Sequence, residues 1–253
     1  MDVSGKVVLI TGASAGIGAA TARVFAQSGA KVVLAARSAD KLAALSQELG
    51  GLGQEALALT IDLRNPAEVT RMVEQSVAHF GRVDILINNA GQAASGKVDS
   101  VSLDDFRQIM ELNVFSVVEA IQAVTPVMRA VGGGLIINVS SMVSRMAILG
   151  LGAYAATKAA LNMLSNTARG ELAPDHIKVT TVFPRMTATE FGRNSLGNQA
   201  MRQPQRGSDS QDRPAPQPAT PRGDWAPQID SAETVARRIL LAAQTEVDEQ
   251  MIE

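Results

Sequence analysis

Tyr154 is the chain's one tyrosine, and Lys158 follows it by four residues. In a helix that spacing puts both side chains on one face. A free phenol titrates near about 10, too high for proton transfer at neutral pH, and an adjacent ammonium favours the phenolate and lowers that value. The pair is therefore an acid/base unit that needs no histidine. The same spacing suits a surface tyrosine beside a solvated lysine, and taken alone the pair leaves both open.

A second pattern, Thr11-Gly12-Ala13-Ser14-Ala15-Gly16-Ile17-Gly18, joins an apolar run to a helical stretch. Glycines let the backbone approach a pyrophosphate, and a helix N-terminus offers free N–H groups and a positive dipole end. Such a turn can also serve only helix–strand packing; its place between the first strand and first helix favours nucleotide binding. After the second apolar run comes Ala36-Arg37. Sites that take NAD usually place an acid here, about 20 residues past the glycines, on the ribose hydroxyls. An arginine suits a 2′-phosphate instead, so NADP(H) is expected over NAD(H). The plain alternative is a solvated arginine at a loop start.

The elements that must position these residues read as an alternation. Short apolar runs at Val7–Ile10, Val32–Ala35, Ala56–Ile61, Val83–Ile87, Leu135–Val139 and Val179–Phe183 read as buried strands. Helical spacing fills about 17–28, 39–49, 66–79, 103–130 and 152–172, and again 231–243. Asn65-Pro66-Ala67-Glu68 carries a cap, a first-turn proline and a reciprocal glutamate; Ser102 and Ser231 open similar starts. Continuous apolar strands separated by helices imply an α/β fold with a doubly wound parallel sheet, helices on both faces, and six or seven strands. In such sheets ligands bind beyond the carboxyl ends of the strands. Those ends carry Asp62-Leu63, Asn88-Asn89-Ala90-Gly91, Ser140-Ser141 and Pro184, a rim of small and polar residues. Asn113 falls on the apolar stripe of the long fourth helix, where position alone favours a satisfied core asparagine.

Composition narrows the rest. The 253 residues suit one domain spanning 1–253. Net charge is −2, which gives no basic excess for nucleic acid or acidic membranes. Cysteine is absent, which excludes disulfides, thiolate metal sites and cysteine nucleophiles. His79 and His176 stand far apart, so neither a histidine metal site nor a Ser-His-Asp hydrolase is expected. No apolar run reaches the roughly 18 residues of a membrane span. The uncharged stretch from Val7 to Ala22 is broken by glycines and preceded by Asp2, unlike a secretory leader. A soluble cytoplasmic protein is expected. From about 192 to 228 the chain is polar and holds six of its ten prolines, which predicts a mobile loop with Trp225 as its largest apolar anchor.

Together these motifs, in order and in register, resemble the single-domain branch of the short-chain dehydrogenase/reductase family, from about Lys6 to Thr189 and weakly again at 231–243. The resemblance implies a Rossmann-like catalytic domain that moves a hydride between a nicotinamide cofactor and a carbonyl or alcohol. It implies a tetrad of Asn113, Ser141, Tyr154 and Lys158. Tyr154 would be the proton donor and acceptor, Lys158 would lower its pKa and bond the nicotinamide ribose, Ser141 would hold the substrate oxygen, and Asn113 would support a water relay. Gly12, Ser14, Gly16, Ile17, Gly18, Arg37, Asp62, Leu63, Asn89, Ala90, Gly91, Thr187 and Thr189 would line the dinucleotide. A homodimer or homotetramer would be usual. A catalytically idle dinucleotide-binding sensor or scaffold is the alternative. Arg185 stands where the family usually has glycine, and a last strand between Glu246 and Ile252 is expected to be short or absent.

Overall fold

Seven parallel strands form one sheet in the order β3-β2-β1-β4-β6-β7-β9. This is a computed structural model, and it describes residues 1–197 and 229–251. The strands are β1 Val7–Thr11, β2 Lys31–Ala36, β3 Ala56–Thr60, β4 Ile85–Asn88, β6 Gly134–Val139, β7 Ile177–Phe183 and β9 Glu249–Met251. A separate two-strand ladder pairs β5 Ala94–Ser95 with β8 Leu196–Gly197. The helices are α1 Gly16–Gln27, α2 Ala39–Gly51, α3 Pro66–Phe80, α4 Leu103–Met110, α5 Ser116–Ala130, α6 Gly152–Leu172 and α7 Ala232–Thr245.

Side chains alternate across each strand, so a sheet covered on both faces must be apolar at every position. Along β1, Val8 and Ile10 pack with Phe25 of α1, Leu45 of α2 and Ile239 of α7. Val7 and Leu9 pack on the other face with Met72 of α3 and Val124 of α5. The sheet order reverses between β1 and β4, which places a crevice at their carboxyl ends.

Local signals set the helix ends. Asn65 Oδ1 accepts from Ala67 N at 3.2 Å, with Pro66 in the first turn. Glu68 accepts instead from the Asp62 N–H, at 2.7 Å, so it ties the helix to the end of β3. Ser102 caps α4 and Ser231 caps α7.

One expectation is corrected. The stretch 103–130 is not one regular helix: α4 and α5 are joined by a π-helical turn, Glu111–Phe115, that contains Asn113. The last strand is short, as expected, with Thr181 to Phe183 registered on Glu249 to Met251. The polar stretch opens with a 3-10 turn at Glu190–Asn194 followed by β8. Leu196 N donates to Ala93 O at 2.8 Å, a partner about a hundred residues away that composition could not reveal. From residue 198 to 228, Trp225 included, the loop lies outside the described residues. Among the described residues, no helix is long and apolar enough to cross a membrane.

Candidate active site

At the crevice, Gly12 has a positive φ of 68°. A Cβ on it would lie 2.9 Å from Ala90 Cα, and one on Gly18 would lie 2.2 Å from Gly12 O. Only glycine permits this contact between the turn and the end of β4. Asn89 holds the turn in place, with Nδ2 donating to Thr11 O at 2.9 Å, and Thr11 Oγ1 accepts from both Asn89 N and Ala90 N. The Asn89 side chain thus ties the end of β4 to the turn. Helix α1 starts with no side-chain cap and no acid in its first turn. Its N–H groups and dipole end are available to an anion, as a dinucleotide pyrophosphate requires. Ser14 is half-buried in this turn, and Ile17 packs on the core below it. Thr189 lies against Gly16: a Cβ there would approach the Thr189 methyl at 3.2 Å.

Beyond β2 and β3, Arg37 is exposed. Asp62 takes two bonds from Arg64, from Nε at 3.1 Å and from Nη2 at 2.8 Å. That guanidinium, with a smaller effect from Arg37, holds the Asp62 carboxyl below its ordinary range. Two cations therefore flank the expected adenosine end, and Arg64 had no signal in the sequence beyond its charge. Leu63 turns its side chain into the core, so only its backbone reaches the rim.

The tetrad converges from three elements. Tyr154 and Lys158 share the buried face of α6, at 8% and 4% exposure. Ser141, at the end of β6, stands beside Tyr154 and acts to lower the phenol's pKa. Asn113 is fully buried; its Nδ2 donates to Gln92 O at 2.9 Å and to Thr157 Oγ1 at 3.0 Å, and its Oδ1 accepts from Gln92 N at 2.9 Å. Asn113 sits in the π-turn, a widened helical turn of a kind frequent at functional sites, and its amide reaches the loop after β4. A Cβ on Gly91 would stand 3.3 Å from Asn113 Oδ1 and 3.6 Å from Lys158 Nζ, so this glycine keeps open the space between them. Thr187 bonds Arg185 O and pairs with Asp230 in a short parallel bridge. Phe191 stacks at a tilt on Tyr154, with ring centres 5.7 Å apart, and Leu196 joins the same cluster. Gln92, Thr157 and Phe191 escaped sequence reading because each acts through a tertiary contact.

The electrostatics of the site differ from the expectation that Lys158 lowers the Tyr154 pKa. Burial pushes the phenol up to about 12, and the Ser141 hydrogen bond offsets only part of that. The Lys158 ammonium donates to Val139 O at 2.8 Å, and burial brings it down to about 8. A base with a folded pKa below its ordinary 10.5 leaves the unfolded chain holding the extra proton between those values. Stability should therefore rise with pH from about 8 to about 10.5, by at most about 1.4 kcal/mol per unit. Urea midpoints of the wild type and Lys158→Met across that range check this. A difference between the two that does not change with pH would refute it.

Residues 6–200 match the short chain dehydrogenase family. The chain belongs to it. The 7α-hydroxysteroid dehydrogenase of Escherichia coli K12 is 35% identical over 190 residues, 75% of this chain and 74% of that protein. A solved 7α-hydroxysteroid dehydrogenase, complexed with NADH and 7-oxo glycochenodeoxycholic acid, superposes with a TM-score of 0.82 at 28% identity, covering 99% of this chain and 93% of that one. A short-chain dehydrogenase from Sphingobium yanoikuyae in complex with NADPH gives 0.79 at 31% identity, covering 97% and 87%. The short-chain dehydrogenase fold, its oxidoreductase class and its use of a nicotinamide dinucleotide all carry over to this chain.

Proposed function

We propose that this short-chain dehydrogenase reduces a carbonyl, or oxidises the matching alcohol, with NADP(H) preferred over NAD(H) and Tyr154 as general acid and base. The observation that carries the reading is the convergence of Tyr154, Ser141, Lys158 and Asn113 beside the glycine turn. When bound, the dinucleotide supplies or accepts the hydride. The uncapped start of α1 would hold its pyrophosphate, Arg37 and Arg64 its 2′-phosphate end, and Thr187 and Thr189 its nicotinamide end.

In reduction, the Tyr154 hydroxyl gives its proton to the substrate oxygen, and the Ser141 hydroxyl holds that oxygen as charge develops. Lys158 keeps its positive charge below pH about 8 and offers it to the phenolate that results. Asn113 and Gln92 fix the polar corner behind Lys158, where a proton can leave toward solvent. Arg37 supports NADP(H) because no acid stands at the end of β2 to repel a phosphate. The likeness to the 7α-hydroxysteroid dehydrogenase supports a secondary alcohol or ketone as the reacting group. The purified protein should oxidise NADPH faster than NADH with at least one member of a panel of ketones and aldehydes, hydroxysteroids and ketosteroids included. Absence of turnover across such a panel, or equal rates with NADH, would count against the proposal. A homo-oligomer in the cytoplasm is part of the same reading.

A further inference from the structure

Helix α6 carries a third residue on the catalytic face. Tyr154, Lys158 and Asn162 follow one another at four-residue steps. Lys158 grips Val139 O, at the end of β6. Asn162 grips the next residues: its Oδ1 accepts from Ser140 Oγ at 2.5 Å, and its Nδ2 donates to Ser144 Oγ at 2.8 Å. Ser144 Oγ then donates to Ser141 O at 2.6 Å. Ser141 Oγ itself accepts from Val143 N at 3.3 Å, and the same side chain acts to lower the Tyr154 pKa. One side chain on the helix of Tyr154 therefore holds both sides of the loop that carries Ser141.

We infer that Asn162 is a positioning residue for catalysis, which clamps the Ser140–Ser144 loop so that Ser141 stays aligned with Tyr154. The inference rests on the catalytic reading of Ser141 and Tyr154 above. An amide supplies on one planar group both the acceptor that Ser140 needs and the donor that Ser144 needs, and a carboxylate supplies only the acceptor. The donor direction matters: Asn162 donates to Ser144, which leaves the Ser144 proton for the Ser141 carbonyl. A backbone tie at each end, Ser140 N to Val182 O and Met142 N to Pro184 O, fixes the path of the chain but not the pitch of the turn after Ser141. The Asn162–Ser144 relay sets that pitch, and chained bonds of this kind strengthen one another.

Asn162→Asp is the discriminating variant. A carboxylate accepts from Ser140 and Ser144 alike, so Ser144 turns away from Ser141 with no change of shape at the site. Asn162→Asp and Asn162→Ala should each lower kcat roughly tenfold, the worth of one to two hydrogen bonds, with the NADPH Kd unchanged. Ser144→Ala should do the same without touching α6, which covers the case in which Asn162 variants do not fold. The double variant Ser141→Ala/Asn162→Ala should lose no more than Ser141→Ala alone, because both act through one hydroxyl. Amide hydrogen exchange over 141–146, read without substrate, should speed up in the Asn162 variants. Wild-type kcat in Asn162→Asp and Ser144→Ala, losses that multiply in the double variant, or unchanged exchange would each overturn the clamp. Tyr154→Phe measured alongside tests the catalytic reading separately; retained turnover there refutes that reading, while the exchange rates still decide whether Asn162 holds the loop.

Discussion

Tyr154→Phe is expected to lower turnover by about 10²–10⁴-fold, the usual worth of general acid catalysis, with NADPH still bound. The substitution keeps the ring that packs on Phe191 and within the Ala93, Ala94 and Ile109 cluster, so the fold should survive it. Among the described residues, neither histidine stands near enough to replace the lost proton. His79 belongs to the last turn of α3 and His176 precedes β7, neither of them on the catalytic rim. The Lys158 ammonium is directed at Val139 O. A phenol pushed up to about 12 stays protonated at neutral pH, which suits it to give a proton. Carbonyl reduction should therefore be nearly flat through neutral pH, and alcohol oxidation, which needs the phenolate, should rise with pH. Steady-state kcat in both directions and a cofactor titration check the claim. Near wild-type turnover in Tyr154→Phe on a verified substrate would sink the mechanism.

Arg37→Ala carries the next largest expected loss. It should weaken NADPH by about 1.5–3 kcal/mol, the scale of a hydrogen bond to a charged group, or roughly 10- to 150-fold in Kd. NADH, which has no 2′-phosphate, should change little. The Arg64 guanidinium is already engaged by Asp62 through two bonds, so on the proposed reading Arg37 is the cation expected to meet the phosphate. Fluorescence titration of both cofactors against both proteins gives the four constants needed. Equal losses for NADPH and NADH, or a wild-type preference for NADH, would show that the charge at the end of β2 does not select the cofactor.

The sequence by itself determined the alternation of strands and helices, because both periodicities are local and the strands had to be apolar on both faces. It also determined the glycine turn and the Tyr154–Lys158 spacing, since a positive φ at Gly12 and one helix face are properties of a few neighbouring residues. Helix α6 agreed at both ends with the spacing, Gly152–Leu172. What tertiary structure decided was everything that depends on partners distant in the chain. Asn113 is a satisfied core residue, as its stripe suggests, but its partners, the loop after β4 and Thr157, and the π-turn it sits in could be seen only in the fold. The start of the polar loop looked unanchored; Ala93 to Ser95 give it a strand to pair with, and Tyr154 gives Phe191 a surface. The Tyr154 pKa moved opposite to the local expectation because burial, a property of the whole packed site, outweighs a lysine whose proton is held by Val139. Spacing along a helix states which side chains share a face, but only the fold states what that face meets.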